Sequence, residues 1–351
     1  MDRAGLRTRV DSALGAFLTR RREQLAGIDE ALLPVAEAIE KFVLGGGKRL
    51  RPAFTYWGYR AAGGADRDEV VAGAAALEFV QASALIHDDV MDASDTRRGE
   101  PAVHRHFAAL HRGARWLGEP ADFGTASAIL LGDLCLVWSD ELLHGSGLDP
   151  VTLARARSVF DEMRTEVTVG QYLDMHNQVT GDTSLTRAGL VARFKSAKYT
   201  VERPLLLGAA FADAPDEVFR AYSAFGLPLG EAFQLRDDVL GVFGDPTVTG
   251  KPAGDDLREG KRTYLVAAAF DAADEAPARE LRAGLGDPTL DRAGIDRLRE
   301  IITATGALRR TEERIAELTA SALAALDTVP LDPAGAEALR ELAAAATSRL
   351  T

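Results

Sequence analysis

Apolar residues recur at helical spacing along almost the whole chain, and the strict alternation that marks half-buried strands does not recur. Leu6, Val10, Leu14, Phe17 and Leu18 share one face of a first helix, from about Arg3 to Leu25. A second helix runs from Asp29, its N-cap, to Leu44. An aromatic-rich helix over Phe54–Ala62 ends at the Gly63-Gly64 turn. The apolar run from Val70 to Ile86 reads as a buried helix. Further helices are predicted over Ala121–His144, Val151–Val179, Arg193–Phe211 and Ala214–Gly241. From Thr263 onward the chain is Ala/Leu-rich helices with ordinary charge pairing. Residues 93–120, rich in Arg, His and Gly, read as a loop. The pattern predicts an all-α fold. It is read as a single domain of 351 residues, with its motifs between about 35 and 270.

Composition narrows the function classes. The chain is 46% hydrophobic, which marks a globular protein, and its net charge of -12 argues against a nucleic-acid surface. Cys135 is the single cysteine, so no internal disulfide is possible and a reducing, cytoplasmic location is expected. The N-terminal residues lack a signal-peptide apolar core. No apolar run is expected to approach the length of a membrane span.

The chemistry gathers where the apolar helices end. Asp88, Asp89 and Asp92 close the Val70–Ile86 run. Asp88 and Asp92 are four apart and share a face with Ala84, Gln81, Val80, Leu77 and Ala76, whereas Asp89 lies about 100° round. Packed carboxylates repel unless compensated, and Mg²⁺ favours carboxylate oxygens together with waters and phosphates. Arg97 and Arg98 follow closely, so the stretch suggests a Mg²⁺-diphosphate site; the alternative is a solvated acidic helix end. A second acidic pair, Asp237 and Asp238, ends the Ala214–Gly241 run after Phe233-Gln234, with Gly241 at the fourth position on. Gly45-Gly46-Gly47-Lys48-Arg49-Leu50-Arg51 frees the backbone and then presents Lys48 and Arg51, which suits a diphosphate or, equally, a helix C-cap. Gln171 and Asp174 can share a helix face, and Lys195 is either a phosphate ligand or a surface charge. Two metal readings are weak. His87, His104, His106 and His111 have no Cys partner for zinc, and Glu141…His144 is a single copy of a spacing that di-iron bundles use twice.

In combination these motifs resemble those of the trans-isoprenyl diphosphate synthases, the polyprenyl synthetase family. The resemblance covers about residues 35–270: the Gly-Lys-Arg turn, Asp-Asp-x-x-Asp with Arg-Arg-Gly, Lys-Ser, and Phe-Gln-x-x-Asp-Asp, in that order. It implies a helical bundle with the two Asp motifs facing across a central cavity, the type I isoprenoid synthase fold, assembled as a homodimer. It implies Mg²⁺-dependent condensation of isopentenyl diphosphate with dimethylallyl, geranyl or farnesyl diphosphate, using about three Mg²⁺ per site. Asp88, Asp92 and Asp237 would bind the metal, supported by Asp89, Asp174 and Asp238. Arg97, Lys195, Lys251 and Lys261 would contact the allylic diphosphate. Lys48, Arg51 and Arg98 would hold isopentenyl diphosphate, with Gln81 where many members carry His. Ser196 and Gln234 would face the reacting region. Gly241 departs from the fullest form of the second motif. The tail would run back along the Asp-rich helix past Ser83 and Ala84, then Phe79 and Val80, so these four would set chain length. The expected product is geranylgeranyl diphosphate; farnesyl or longer products, a class I terpene cyclase and a non-catalytic regulatory subunit are the alternatives.

Overall fold

The computed structural model describes residues 5–244 and 254–347. Helix α1 (Leu6–Ile28) buries the predicted stripe Leu6, Val10, Leu14, Phe17 and Leu18. Asp29 caps a short 3₁₀ turn (Glu30–Leu32) that runs into α2 (Leu33–Leu44). Then come α3 (Leu50–Ala61) and α4 (Asp68–Met91), the latter ending on the Asp-rich stretch. Helices α5 (Val103–Ala114) and α6 (Pro120–His144) follow. Asp149 starts α7 (Pro150–Thr180) by accepting from the amides of Val151 and Thr152, and Gly181, at φ 66°, ends it. Helix α8 (Leu185–Val191) widens into a π-helix (Ala192–Glu202) and returns to α-geometry in α9 (Arg203–Phe211). Helix α10 (Asp216–Phe243) carries the second acidic pair near its end. The rest is α11 (Asp255–Arg258), α12 (Tyr264–Ala272), α13 (Glu275–Gly284), α14 (Arg292–Ala304), α15 (Ala307–Ala325) and α16 (Pro333–Thr347).

Segment 93–120 is not the loop its composition predicts. It holds a two-stranded antiparallel ribbon, Thr96–Arg97 with Glu100–Pro101, and then helix α5. Val103, His104, Phe107 and His111 line the buried face of α5. Two histidines thus sit at core positions, which masked the helical period. They also answer the zinc reading: His111 Nε2 pairs with the Leu117 carbonyl, and His87 Nε2, from α4, with the Ile129 carbonyl.

Most of the chain shares one core. Phe79 of α4 meets Phe17 of α1 and Trp138 of α6 edge-on, at centroid distances of 5.2 and 6.0 Å. Fully burying such a ring contributes about 1.5–3 kcal/mol. A second cluster joins Val239 and Val242 of α10 to Leu257, Leu265, Ile295 and Ile302. Helix α10 serves both clusters, since its Phe225 and Leu229 belong to the first. The expectation about apolar runs needs correcting. Helices α4 and α6 are each long and apolar enough to cross a membrane. Alanines and glycines between the larger apolar residues conceal this in a residue-by-residue reading. The apolar window of α4 is 72% buried in the fold and that of α6 only 33%, so only the first is accounted for as a core helix.

Candidate active site

The C-terminal end of α4 presents Asp88 and Asp92 together, as their spacing requires. Asp88 Oδ1 accepts from Gln171 Nε2 of α7 at 2.8 Å and from Lys195 Nζ at 3.3 Å. Lys195 Nζ also lies 2.6 Å from Asp174 Oδ2, so one ammonium bridges α4 and α7. Lys261 Nζ sits 3.6 Å from Asp92 Oδ2 and 2.5 Å from Glu259 Oε2. Burial raises the pKa of Asp88, but Lys195, Lys261 and Arg97 outweigh it and hold that carboxyl below its usual range. Burial and the neighbouring Asp88 charge push Asp92 up to about 6. Both lysines are held above their ordinary pKa by the same carboxylates, against the effect of burial. The site is a lattice of alternating charges with more than one acid per cation.

The neighbouring acids have supporting positions. Asp89, expected in the metal shell, is wholly buried on the other side of α4. Its Oδ1 accepts from Arg97 Nε at 2.9 Å, which draws the guanidinium to 3.5 Å from Asp88 Oδ2. Asp238, expected in the same role, is also buried and accepts from Gln234 Nε2 at 2.7 Å. Burial pushes its pKa up to about 8. Asp237, on the adjacent face of α10, is half-buried. Lys251 lies outside the described residues.

Lys195, Ser196 and Tyr199 owe their placement to the π-helix, whose i→i+5 pattern re-aims side chains without breaking the chain. Two glycines let other helices press against it. An added Cβ at Gly170 would lie 2.4 Å from the Lys195 amide nitrogen, and one at Gly230 would lie 2.5 Å from the Ala197 carbonyl oxygen. Ser196 is buried beside them.

A second cationic group forms around the turn between α2 and α3. Gly46 and Gly47 adopt φ of 115° and 123°, a region open to glycine. Arg98 Nη1 donates to the Gly46 carbonyl at 3.1 Å, which brings the second arginine of the pair to this turn while Arg97 faces the acids. Lys48 is exposed on the same turn. The Arg51 guanidinium lies over the Tyr199 ring at 4.1 Å, and Tyr199 donates its hydroxyl to Gln81 Oε1 at 2.8 Å. Arg51, Gln81, Arg98 and Lys48 therefore surround one turn, as the motifs predicted. Arg49 stands apart from them. It is buried, pairing with Glu78 and Asp11, and these carboxylates raise its pKa against the effect of burial.

Along α4, Ser83 and Val80 are buried, Ala84 is half-buried, and Phe79 is locked in its aromatic cluster. The residues that sequence reasoning passed over are Gln171 as a partner of Asp88, Tyr199 beneath Arg51, and Asp256. The last stands 3.7 Å from Lys261 Nζ. A cavity of about 350 Å³ between Leu185, Leu190, Leu235, Tyr264 and Leu318 contains none of the Asp-rich residues.

The polyprenyl synthetase family model matches residues 34–302. This chain belongs to the polyprenyl synthetase family. It is 38% identical over 256 residues to a geranylgeranyl diphosphate synthase of Methanosarcina mazei, covering 70% of this chain and 72% of the relative. It is 33% identical over 301 residues to a geranylfarnesyl diphosphate synthase of Aeropyrum pernix, covering 85% and 88%. The structure superposes on a geranylgeranyl pyrophosphate synthase from Corynebacterium glutamicum, solved with isoprenyl diphosphate and magnesium, with a TM-score of 0.94 and 45% identity over 97% of this chain and 98% of that one. The fold is the all-α type I isoprenoid synthase fold, and the protein is a prenyltransferase of isoprenoid chain elongation.

Proposed function

We propose that this prenyltransferase joins isopentenyl diphosphate to an allylic diphosphate with Mg²⁺, and that it stops at twenty-carbon geranylgeranyl diphosphate. The observation that carries this reading is the pair of separate cationic groups. Lys195, Lys261 and Arg97 lie among the Asp-rich acids, while Lys48, Arg51 and Arg98 surround the glycine turn. Two diphosphates need two such places.

The donors fit a hard divalent cation, because Asp88, Asp92 and Asp237 offer only oxygen. Among the described residues no three of the acids converge closely enough to hold a metal ion alone. That matches Mg²⁺, which binds through one or two carboxylates plus waters and substrate phosphates. When bound, Mg²⁺ offsets the charge that develops on a departing diphosphate. Lys195, Arg97 and Lys261 add fixed positive charge at the same end. Lys48, Arg51, Arg98 and Gln81 hold the second substrate with its double bond toward the allylic carbon. The allylic C–O bond breaks, a C–C bond forms, and the proton lost from the new chain passes to the released diphosphate. No histidine is needed as base.

Diphosphate release should depend on isopentenyl diphosphate, stop with EDTA and return with Mg²⁺. Release without isopentenyl diphosphate would indicate a cyclase, and metal-independent release would overturn the metal reading. A homodimer belongs to this proposal. Phe123, Leu130 and Val137 recur every seven residues on α6, and Leu130 and Val137 are 66% and 61% exposed. A cytoplasmic location belongs to it as well.

Product length rests on α4. A tail anchored at Asp88 and Asp92 runs back along this helix, and each turn of about 5.4 Å matches roughly one isoprene unit. Ser83 leaves the first turn open, and the Phe79–Phe17–Trp138 cluster closes the next. Ser83→Phe should shorten the product by one unit, read by mass after hydrolysis. A wild type ending at fifteen carbons, unchanged in the variant, would place the floor elsewhere.

A further inference from the structure

The second acidic motif lacks its last member, because Gly241 stands four residues after Asp237 where the first motif has Asp92 four after Asp88. Positions four apart share a helix face, so a side chain at 241 would lie beside that of Asp237. The structure fills this space from another element. An ideal Cβ at Gly241 would fall 1.8 Å from Asp256 Oδ2 and 2.5 Å from its Cγ. The carboxyl group of Asp256, carried by α11, thus occupies the place a side chain at 241 would take. Its other oxygen, Oδ1, lies 3.7 Å from Lys261 Nζ, and that ammonium lies 3.6 Å from Asp92 Oδ2. One lysine therefore ties this carboxylate to the first motif.

We propose that Asp256 is the missing acidic member of the second motif, supplied by the following turn, and that Gly241 is glycine in order to admit it. The inference rests on the Mg²⁺-diphosphate reading of the site. Asp256 acts as a positioning residue: it holds Lys261 and the water shell of a metal at Asp237. The geometry also fixes what each position tolerates. A side chain at 241 and the carboxyl at 256 cannot both occupy this space, so the two positions are coupled, and either can carry the acid provided the other is small.

The test is Mn²⁺ binding by the full chain with inorganic diphosphate, read from the electron paramagnetic resonance signal of free Mn²⁺. Asp256→Asn keeps the shape and removes the charge. It should weaken binding by about 10- to 100-fold, the usual effect of losing a supporting group around a metal. Gly241→Asp alone should also weaken binding, since the two carboxyl groups collide. The exchange variant, Gly241→Asp with Asp256→Gly, should recover most of the affinity. Wild-type affinity in Asp256→Asn overturns the inference, and so does failure of a helical, folded exchange variant to recover. Asp88→Asn separates the two levels of argument. If it weakens binding while Asp256→Asn does not, the metal reading stands and this inference falls. If the wild type itself binds no Mn²⁺ with diphosphate, both fall.

Discussion

Replacing Asp88 with alanine is expected to lower turnover by about 10²- to 10³-fold, the usual cost of removing one group that stabilises developing charge. Asp88 is the acid with the most partners at the site: Gln171, Lys195 and Arg97 all meet it from different elements. Its loss removes a metal oxygen and also leaves Lys195 to Asp174 alone. Asp238→Asn should cost far less. That carboxyl is buried behind the acidic face and meets Gln234, so an amide keeps its shape and can still form a hydrogen bond there. Steady-state rates with saturating substrates measure both effects, and far-UV circular dichroism checks that each variant folds. Equal and small losses would show that these carboxylates are structural and would remove the basis for the metal reading.

The helices were legible because alanine and leucine dominate them and their buried faces keep the helical period. The chemistry was legible wherever it depends on spacing within one element: Asp88 with Asp92, Lys48 with Arg51. It was obscure wherever folding decides. Arg97 and Arg98 are adjacent in sequence, yet the Thr96–Pro101 ribbon sends one to Asp89 and the other to Gly46. The π-helix has no compositional signature, since it forms where Gly170 and Gly230 bring two backbones against it. Asp256 looks like one more charge in a Gly- and Lys-rich stretch until α11 sets it on Gly241. Helix α5 was missed because His104 and His111 count as polar in a pattern although they are buried.

The turn that carries Lys48 and Arg51 should prove the most fragile part of the site, because a buried charge holds it. Arg49 has a positive φ of 50° and a side chain only 4% exposed. Its guanidinium reaches Glu78 Oε2 at 2.5 Å, Asp11 Oδ1 at 2.8 Å and the Val43 carbonyl at 2.8 Å. Glu78 is itself buried on α4, so this pair pins the turn to the Asp-rich helix two to three turns before Asp88. Breaking a buried pair by removing one partner costs about 3–5 kcal/mol, since the remaining charge stays out of water uncompensated. Glu78→Ala should therefore destabilise the fold by about 3 kcal/mol, the low end, because Asp11 remains. Asp11→Ala should cost about 1 kcal/mol or less, because its side chain is 38% exposed and water already screens it. Denaturant unfolding gives both values. Glu78→Ala should also raise the KM for isopentenyl diphosphate more than that for the allylic substrate, because the loosened turn holds Lys48 and Arg51 and leaves Lys195 and Arg97 in place. A Glu78→Ala variant no less stable than Asp11→Ala would show that the turn is held by its backbone alone.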